Sequence, residues 1–298
     1  MPLARPTPPT ALVTLLLAAL SFLAACTPRA GGAGTPAGGP AVNDIGSDTM
    51  VNLALAWGQA YETSHPAVNV SVTGGGSGTG LAALINGTAD IANASRAIKP
   101  EEKAAAQANG FDPVEFITAR DAIAVVVNPG NPVSQLSLPQ LSAIYSGQLT
   151  NWSQVGGDNR PIVLLSRETN SGTHVYFLQN VLRLGQADNS ALFSPDTLLL
   201  PSSEGISAEV RQNPNAIGYD GLGYVTADMK TVAVSAKDGG PFVLPSIATV
   251  NDKTYPISRD LYMYTAGEPR GAIKDYLDWV VSPEAQKIVA DLGFVPVK

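Results

Sequence analysis

Hydrophobic and polar residues follow two different periods along the chain, and the change between them is clearest around a glycine-rich turn. Val68, Val70 and Val72 are β-branched residues at every second position, which predicts a strand. The apolar run at residues 81–85 predicts a helix. The turn between them, residues 74–80, has the sequence GGGSGTG. A strand, a glycine turn and a helix in this order direct free backbone N–H groups and a helix N-terminus towards an anion.

Strand and helix patterns alternate over the rest of the chain. Predicted strands cover residues 42–45, 90–94, 114–127, 161–165, 216–225 and 255–264, and residues 231–250 are predicted to be β-rich and irregular. Predicted helices cover residues 53–60, 138–145, 175–182, 202–210, 269–280 and 283–291, another begins at residues 99–102, and residues 151–157 are predicted loop. This alternation favours an α/β architecture with largely parallel sheets. In such sheets ligands bind where strands end and helices begin.

Two further strand-to-helix turns are rich in hydrogen-bond donors. The turn GSDTM at residues 46–50 contains three residue types that cap helix N-termini well. Arg167 follows the predicted strand 161–165, and the sequence SGT at residues 171–173 begins the next predicted helix. An arginine has a planar fork of donors that suits a tetrahedral oxyanion. Each turn alone could be a plain helix cap or a surface arginine, but several of them together favour an anion site.

Two nucleotide-binding motifs fit the glycine turn poorly. A P-loop requires a lysine after its last glycine, whereas Leu81 follows Gly80 and the first lysine of the chain is Lys99. A dinucleotide fingerprint matches residues 78–83 loosely. It would require an acidic residue at the end of the next strand, but the glutamates near that position follow Pro100 at a helix start. A glycine turn without a ligand is the remaining alternative.

Composition and charge narrow the class of protein. The 298 residues suffice for two domains, and 45% hydrophobic with 14% charged residues indicates a globular protein with an ample core. The net charge of −7 disfavours a nucleic-acid surface, which would be basic. It does not exclude a buried anion site, because such a site depends on its local donors.

The N-terminus has the pattern of a targeting segment. Arg5 precedes an apolar run at residues 11–22, which is short for a membrane span. The run ends near Cys26, the only cysteine, in a sequence that resembles a bacterial lipobox. This resemblance implies a signal peptide at residues 1–25 and a lipid on Cys26, with an ordinary signal peptide as the alternative. Residues 26–40 are a Gly/Ala/Pro tether, and two or more acyl chains would anchor it stably.

The turns taken together resemble the phosphate-binding lipoproteins of bacterial ABC importers, a family of the periplasmic-binding-protein superfamily. The residues that carry the resemblance are GSDTM at 46–50, GSGTG at 76–80, ASR at 94–96, NW at 151–152, Arg167 with SGT at 171–173, AIGY at 216–219 and GLGY at 221–224. The resemblance implies an α/β fold of type II, with two lobes that close over a ligand and two crossing hinge strands. We expect the crossings near residues 118–121 and 255–258. Lobe 1 would then comprise residues 41–118 plus 258–298, and lobe 2 residues 119–257.

The implied function is that of an extracytoplasmic solute-binding lipoprotein. It would capture inorganic phosphate between its lobes and deliver it to an ABC permease and its ATPase subunits. We expect a monomer that is held at the cell membrane or in the periplasm by its lipid, without a cofactor, a metal or a nucleic-acid partner. The alternatives are a receptor for another oxyanion, such as sulfate or molybdate, and a surface adhesin or signalling lipoprotein on the same fold.

The resemblance also implies a set of phosphate contacts. The candidate residues are Ser47, Asp48, Thr49, the backbone of Met50, Ser77, Ser95, Arg96, Arg167, Ser171, Gly172 and Thr173. Some family members have an aspartate in the turn that here contains Ser95 and Arg96; it accepts the proton of hydrogen phosphate and so rejects sulfate. Asp48 and Glu168 are candidate replacements for this acceptor. Arg96 would either add a second cation to the site or form a salt bridge outside it.

A hydrolase is the competing class of protein, and the sequence gives it little support. No serine lies in a Gly-x-Ser-x-Gly elbow, and no His/Cys/Asp cluster has zinc spacing. His65 is expected in a solvated loop. His174 is expected on a helix surface, although it could tune the anion site. Hydroxyls, N–H groups and an arginine without a general base predict binding rather than catalysis.

Overall fold

Ten strands and nine helices follow one another along residues 39–297, the part of the chain that this computed structural model describes. The strands are β1 Ala41–Gly46, β2 Asn69–Thr73, β3 Ile91–Ala94, β4 Val114–Val127, β5 Gln135–Ser137, β6 Val163–Arg167, β7 Leu198–Leu200, β8 Ala216–Gly221, β9 Lys230–Ser235 and β10 Ser258–Thr265. The helices are α1 Val51–Ser64, α2 Ser77–Ile85, α3 Pro100–Ala108, α4 Leu138–Tyr145, α5 Gly172–Phe177, α6 Ser203–Gln212, α7 Ile247–Asn251, α8 Gly271–Val280 and α9 Pro283–Asp291.

The central strands β4 and β10 connect two groups of strands. The main sheet has the order β2-β1-β3-β10-β4-β8-β6-β7. Pairing of β1 with β2 and β3, of β6 with β7 and β8, and of β5 with β9 is parallel. Every pairing that involves β4 or β10 is antiparallel. The expectation of largely parallel sheets is therefore right for the two outer groups and wrong at the centre, because the two central strands run in opposite directions.

The long strand β4 changes partner halfway along its length. It pairs with β10 as far as Ala122 and with β8 from Ile123 onwards. This is the arrangement expected of two lobes joined by two crossing strands, and the change of partner lies close to the predicted crossing. We call the part that contains β1–β3 the first lobe and the part that contains β6–β8 the second lobe. The residue boundaries of the two lobes stay a prediction.

Each lobe has its own apolar core. In the first lobe, Trp57 and Tyr61 of α1 pack with Tyr276 of α8. In the second lobe, Phe177 of α5 stacks on Tyr219 of β8, with ring centroids 3.7 Å apart. The strand-to-helix turns of each lobe are therefore fixed to a separate core, and the two sets of turns face each other across the central strands.

Most predicted elements are confirmed, and the differences have local causes. The bounds of β4, α4 and α9 are those predicted. Residues 231–250 form one strand and then the short helix α7, which begins where Ser246 accepts a hydrogen bond from Thr249 N at 3.0 Å. The predicted loop at 151–157 contains a 3₁₀ turn, Trp152–Val155. The predicted helix 175–182 ends in a π-helical turn, Leu178–Leu182.

The predicted signal peptide, Cys26 and nearly all of the tether lie outside the described residues. Within residues 39–297, no helix combines the length and the apolar character that crossing a membrane requires.

Candidate functional site

Turns from both lobes meet at one point beside the central strands. Thr49, in the turn after β1, and Thr173, at the start of α5, have their hydroxyl oxygens 2.7 Å apart. Ser77, at the start of α2, accepts a hydrogen bond from Ser95 N at 3.0 Å, in the turn after β3. A Cβ atom on Gly172 would lie 2.4 Å from Ser77 Oγ and 2.5 Å from Ser95 Oγ. Only a residue without a side chain therefore allows the two lobes to approach this closely.

We call this group of residues the cradle. It consists of Thr49, Ser77, Ser95, Ser171, Gly172 and Thr173. All five of its hydroxyl-bearing residues are buried. Ser171 caps α5 by accepting a hydrogen bond from Thr173 N at 3.2 Å. The cradle thus gathers hydroxyl groups in a site screened from water, where hydrogen bonds are electrostatically stronger.

A second contact between the lobes lies next to the cradle. Asn170, just before α5, accepts a hydrogen bond from Gly78 N at 2.9 Å and donates one to Gly75 O at 2.8 Å. The glycine turn can reach Asn170 because Gly76 has a φ of 101°, and a Cβ there would lie 3.0 Å from Asn170 O. The structure is therefore that of a closed cleft. Sequence reasoning missed Asn170, whose only signal is its place directly before the SGT turn.

Arg167 is almost completely buried, with 1% of its side chain exposed, and protein oxygens surround it. Its Nη2 lies 3.0 Å from Asp48 Oδ2, and its Nη1 donates to Ser203 Oγ at 2.8 Å. Nη2 also donates to Pro201 O at 2.9 Å. These contacts hold the guanidinium beside the turn that contains Thr49.

Asp48 joins the first lobe to the second. In addition to Arg167, its Oδ2 accepts a hydrogen bond from Ser203 N at 2.8 Å. Its carbonyl oxygen accepts a hydrogen bond from Tyr224 OH at 2.8 Å. The carboxylate is thus already engaged by protein donors. The other candidate acceptor, Glu168, is exposed to solvent, so the expectation that it replaces a buried acceptor is wrong.

Arg96 forms a salt bridge instead of facing the cradle. Its Nη1 and Nη2 donate to the two carboxylate oxygens of Glu102 at 2.8 and 2.6 Å. Burial alone would raise the pKa of Glu102, but hydrogen bonds from Arg96 and from Lys99 N hold that pKa below its ordinary value. Of the two arrangements expected for Arg96, the structure has the salt bridge. The sequence feature that could have indicated this salt bridge is the position of Glu102 only six residues after Arg96.

Ser47 and Met50 lie in the same turn as Thr49, and the Ser47 hydroxyl is buried without a hydrogen-bond partner among residues 39–297. Ser47 N donates to Asn93 O at 2.9 Å, and Met50 N donates to Ser47 O at 3.0 Å. The backbone donor expected to hold the anion at Met50 is therefore used inside the turn. The Met50 side chain is fully buried in the core of the first lobe.

A buried ion pair in the central strands was missed by sequence reasoning. Arg259 of β10 lies opposite Asp121 of β4, and its Nη2 donates to Asp121 Oδ2 at 2.8 Å. Its Nη1 donates to Ser95 O at 3.0 Å, which connects the pair to the cradle. Burial raises the pKa of Asp121 despite the attraction of Arg259. The sequence feature that could have indicated this pair is the presence of one charged residue, Asp121 or Arg259, inside each of two largely apolar predicted strands.

A second missed carboxyl lies at the end of β8. Asp220 is 1% exposed, and its Oδ1 accepts hydrogen bonds from Ser203 Oγ at 2.7 Å and Gly221 N at 2.8 Å. Burial raises the pKa of Asp220 to about 7, although the charge of Arg167 opposes the shift. Ser203 thus bridges Arg167 and Asp220 behind the cradle.

The histidines do not form a catalytic group. His174 was expected on a helix surface, but it is buried, stacks on Phe193 with centroids 4.7 Å apart, and has Nδ1 3.0 Å from Ser166 Oγ. The expectation was wrong because this face of α5 packs into the core of the second lobe. Burial lowers the pKa of His174. His65 is exposed, as predicted. Among residues 39–297 no group of three or more His, Cys, Asp or Glu side chains could hold a metal.

Comparisons with known proteins identify the family to which the chain belongs. A family model described as a PBP superfamily domain matches residues 33–284. The phosphate-binding protein PstS of Pseudomonas aeruginosa is 34% identical over 273 residues, which cover 86% of this chain and 83% of the relative. PstS of Bacillus subtilis is 34% identical over 253 residues, which cover 85% of this chain and 79% of the relative.

The fold has solved counterparts. A crystal structure described as a phosphate ABC transporter substrate-binding protein with bound phosphate, from Clostridium perfringens, has a TM-score of 0.77 and 32% sequence identity. The likeness covers 87% of this chain and 100% of that chain. The predicted two-lobed periplasmic-binding-protein fold is confirmed by this likeness.

Proposed function

Because the chain belongs to the PBP superfamily, and within it to the phosphate-binding proteins named PstS, we propose that it captures inorganic phosphate between its lobes. The captured phosphate is delivered to an ABC permease with its ATPase subunits. The relatives at 34% identity are named for phosphate binding, and the Clostridium perfringens protein was crystallised with phosphate.

The observation that carries the proposal is the meeting of turns from both lobes in one buried cradle. A tetrahedral oxyanion accepts many hydrogen bonds from converging directions, and the cradle supplies hydroxyls from Thr49, Ser77, Ser95, Ser171 and Thr173. The Gly172 backbone lies directly against the hydroxyls of Ser77 and Ser95, since a Cβ there would come within 2.5 Å of both. Arg167 adds a buried positive charge. Arg96 lies outside the set of phosphate contacts, since it is committed to Glu102.

The cradle is suited to binding and lacks the groups that catalysis would need. A general base must reach the proton it removes, but the imidazole ring of His174 contacts Ser166 Oγ and Phe193. The chain therefore acts as a transport receptor and not as a phosphatase. It works outside the cytoplasm as a monomer, held to the membrane by lipid on Cys26, with lobes of residues 41–118 plus 258–298 and 119–257.

Calorimetric titration of residues 41–298, refolded to remove ligand, tests the proposal. Tight binding of phosphate with no heat from sulfate is the expected result. Equal affinity for both anions would indicate a general oxyanion receptor. No heat from either anion would overturn the proposal in favour of an adhesin or signalling role on the same fold.

A pair of glycine variants tests the cradle itself. Gly172→Ala places a methyl group against Ser77 and Ser95, so we expect about a hundredfold loss of phosphate affinity, as for a lost fit in a close-packed site. Gly74→Ala is the matched control, because its Cβ would meet no atom closer than Val51 Cγ2 at 3.5 Å. Equal affinities of the two variants would place the phosphate somewhere else.

A further inference from the structure

The charged groups buried around the cradle do not balance. Two cations, Arg167 and Arg259, lie beside three carboxyl groups, those of Asp48, Asp121 and Asp220. With every group ionised, the surroundings of the cradle carry one net negative charge before any anion enters. Because this inference rests on the proposed function, the anion is phosphate, whose dianion would add two more negative charges in a place with little water to screen them.

Two of the three carboxylates are neutralised by direct contact. Asp48 Oδ2 lies 3.0 Å from Arg167 Nη2, and Asp121 Oδ2 lies 2.8 Å from Arg259 Nη2. A guanidinium at this distance favours the ionised carboxylate. Each of these two carboxyl groups therefore has a counter-charge in direct contact.

Asp220 differs from them because no cation among residues 39–297 forms a salt bridge with it. Its Oδ1 accepts hydrogen bonds from the Ser203 hydroxyl and from Gly221 N. Its Oδ2 is buried and has no hydrogen-bond partner among residues 39–297. A buried ionised oxygen without a donor is costly, and a proton on that oxygen would lower the cost by removing the charge. Asp220 is thus the carboxyl that most readily gives up its charge.

The groups that face Asp220 come from several elements. Arg167 of β6 favours its charged form, and Asp121 of β4 disfavours it. Tyr219 and Tyr224 also interact with its charge, and burial raises the pKa of both phenols, so they stay neutral. The negative charge of Asp48, in the turn after β1, and that of Glu204, in the first turn of α6, raise the pKa of Tyr224 further. A negative charge in the cradle would repel the Asp220 carboxylate, as Asp121 does, and would offset the attraction of Arg167. Phosphate binding would therefore raise the pKa of Asp220 and favour its neutral form.

We infer that the carboxylate of Asp220 becomes protonated when phosphate binds above neutral pH, so that phosphate capture is coupled to the uptake of one proton by the protein. Below neutral pH the carboxyl is already protonated and no extra proton enters. Above it, the affinity for phosphate falls by up to tenfold per pH unit, the limit for one linked proton. The site thus binds phosphate more weakly in alkaline surroundings without any change in its hydroxyl donors.

The test is calorimetry of phosphate binding in buffers of different ionisation enthalpy, which counts the protons exchanged. Wild type is compared with Asp220→Asn at about pH 8.5 and about pH 6, on either side of the proposed transition. We expect wild type to take up about one proton more than Asp220→Asn at the higher pH, and equal exchange at the lower pH. Subtracting the two cancels the protons that phosphate itself gains or loses. We also expect Asp220→Asn to bind phosphate at least tenfold more tightly at the higher pH.

Asp44→Asn is the matched control. Asp44 is fully buried on β1, and burial raises its pKa to about 7, as for Asp220. Its carboxylate accepts a hydrogen bond from Asn93 Nδ2 at 2.8 Å, and neither Arg167 nor Arg259 contacts it. We expect its proton uptake to match wild type, which would show that position, and not mere burial, couples Asp220 to phosphate.

Infrared difference spectra of wild type locate the proton and do not depend on a variant that folds. Phosphate binding at the higher pH should produce the carbonyl band of a neutral carboxylic acid. Proton uptake without that band would place the proton on the phosphate and overturn the inference. Binding without extra proton uptake would overturn it too, while leaving the proposed function intact. Absence of phosphate binding would instead overturn the proposed function.

Discussion

Two buried arginine–aspartate pairs border the cradle, and they connect different parts of the molecule. Arg259 and Asp121 are opposite residues on the two central strands, and both are almost fully buried. Arg167 and Asp48 come from β6 and from the turn after β1, on opposite sides of the central strands. Asp48 is 17% exposed, whereas Asp121 is completely buried.

An arginine–aspartate pair can thus stabilise either the fold or the closed state of the cleft, depending on which elements carry its two residues. The pair in the central strands forms as soon as β4 and β10 pair, so it persists in any position of the lobes. The pair across the cleft requires the turn after β1 to reach β6, so it contributes only when the lobes are closed. Such a contact shifts the balance between open and closed states by its free energy in the closed state alone.

The largest expected effect is on the pair in the central strands. Asp121→Asn leaves the guanidinium of Arg259 buried without its counter-charge. We expect the free energy of unfolding to fall by about 3–5 kcal/mol, the usual cost of breaking a buried pair on one side. Urea unfolding followed by circular dichroism measures this, with Asp48→Asn as the comparison that loses less, because Asp48 is 17% exposed and Arg167 keeps its hydrogen bonds to Ser203 Oγ and Pro201 O. Equal losses in the two variants would remove the distinction between the pairs.

Arg167→Gln tests the cation of the cleft pair. It removes the buried positive charge beside Thr49 and leaves Asp48 without its guanidinium. We expect phosphate affinity to fall about a hundredfold, or about 2.7 kcal/mol, as for the loss of a charge-assisted hydrogen bond in a buried site. Calorimetric titration measures the change. An affinity within threefold of wild type would show that this charge does not act on the ligand.

Asp48→Asn tests the carboxylate of the cleft pair. The amide can still accept a hydrogen bond from Ser203 N, but it loses the ionic attraction to Arg167. We expect about tenfold weaker phosphate binding, mainly through faster release, because the closed state alone is destabilised. Stopped-flow measurement of phosphate dissociation checks this. An unchanged dissociation rate would mean that the pair does not hold the cleft closed.

Arg96→Gln gives the smallest expected effect on the ligand. Arg96 pairs with Glu102 at the start of α3, so we expect less than a twofold change in phosphate affinity. The pair should instead contribute to stability. Because the folded pKa of Glu102 is lowered, this contribution is present above the ordinary pKa of glutamate and is lost as the pH falls through the lowered value.

Thermal unfolding at neutral and acid pH checks the second half of that prediction. The difference in Tm between wild type and Arg96→Gln should shrink as the pH falls. A tenfold loss of phosphate affinity would return Arg96 to the set of ligand contacts.

The elements and most of the cradle could be predicted because their signals are local. Val114–Val127 and Leu138–Tyr145 have the predicted bounds, since each has a periodic apolar pattern bounded by Pro, Gly or a capping serine. Thr49, Ser77 and Thr173 were found because hydroxyl residues at helix starts are visible in a sequence. Their meeting at one point was implied by a family resemblance and not by the pattern.

The residues that the side chains of Arg96 and His174 contact could not be predicted, because those contacts depend on which surfaces of the folded chain face each other. Arg96 had the residue type of a ligand contact, but Glu102 in the first turn of α3 forms a salt bridge with it. His174 was expected on a surface, but the packing of α5 against Phe193 buries it. Charge type alone does not say whether a guanidinium meets a ligand or a carboxylate.

The sequence by itself determined the order of the longer strands and helices, the glycine turn, and the kinds of donor available at the helix starts, whereas the short elements β5, β7 and α7 were not predicted. These follow from backbone preferences and apolar periodicity, which act between near neighbours in the chain. Only the tertiary structure decided that β4 and β10 are antiparallel, that Arg259 faces Asp121, and that Asp220 is buried without a cation. Those outcomes join residues more than a hundred positions apart or depend on exclusion of water, and both arise only when the lobes pack.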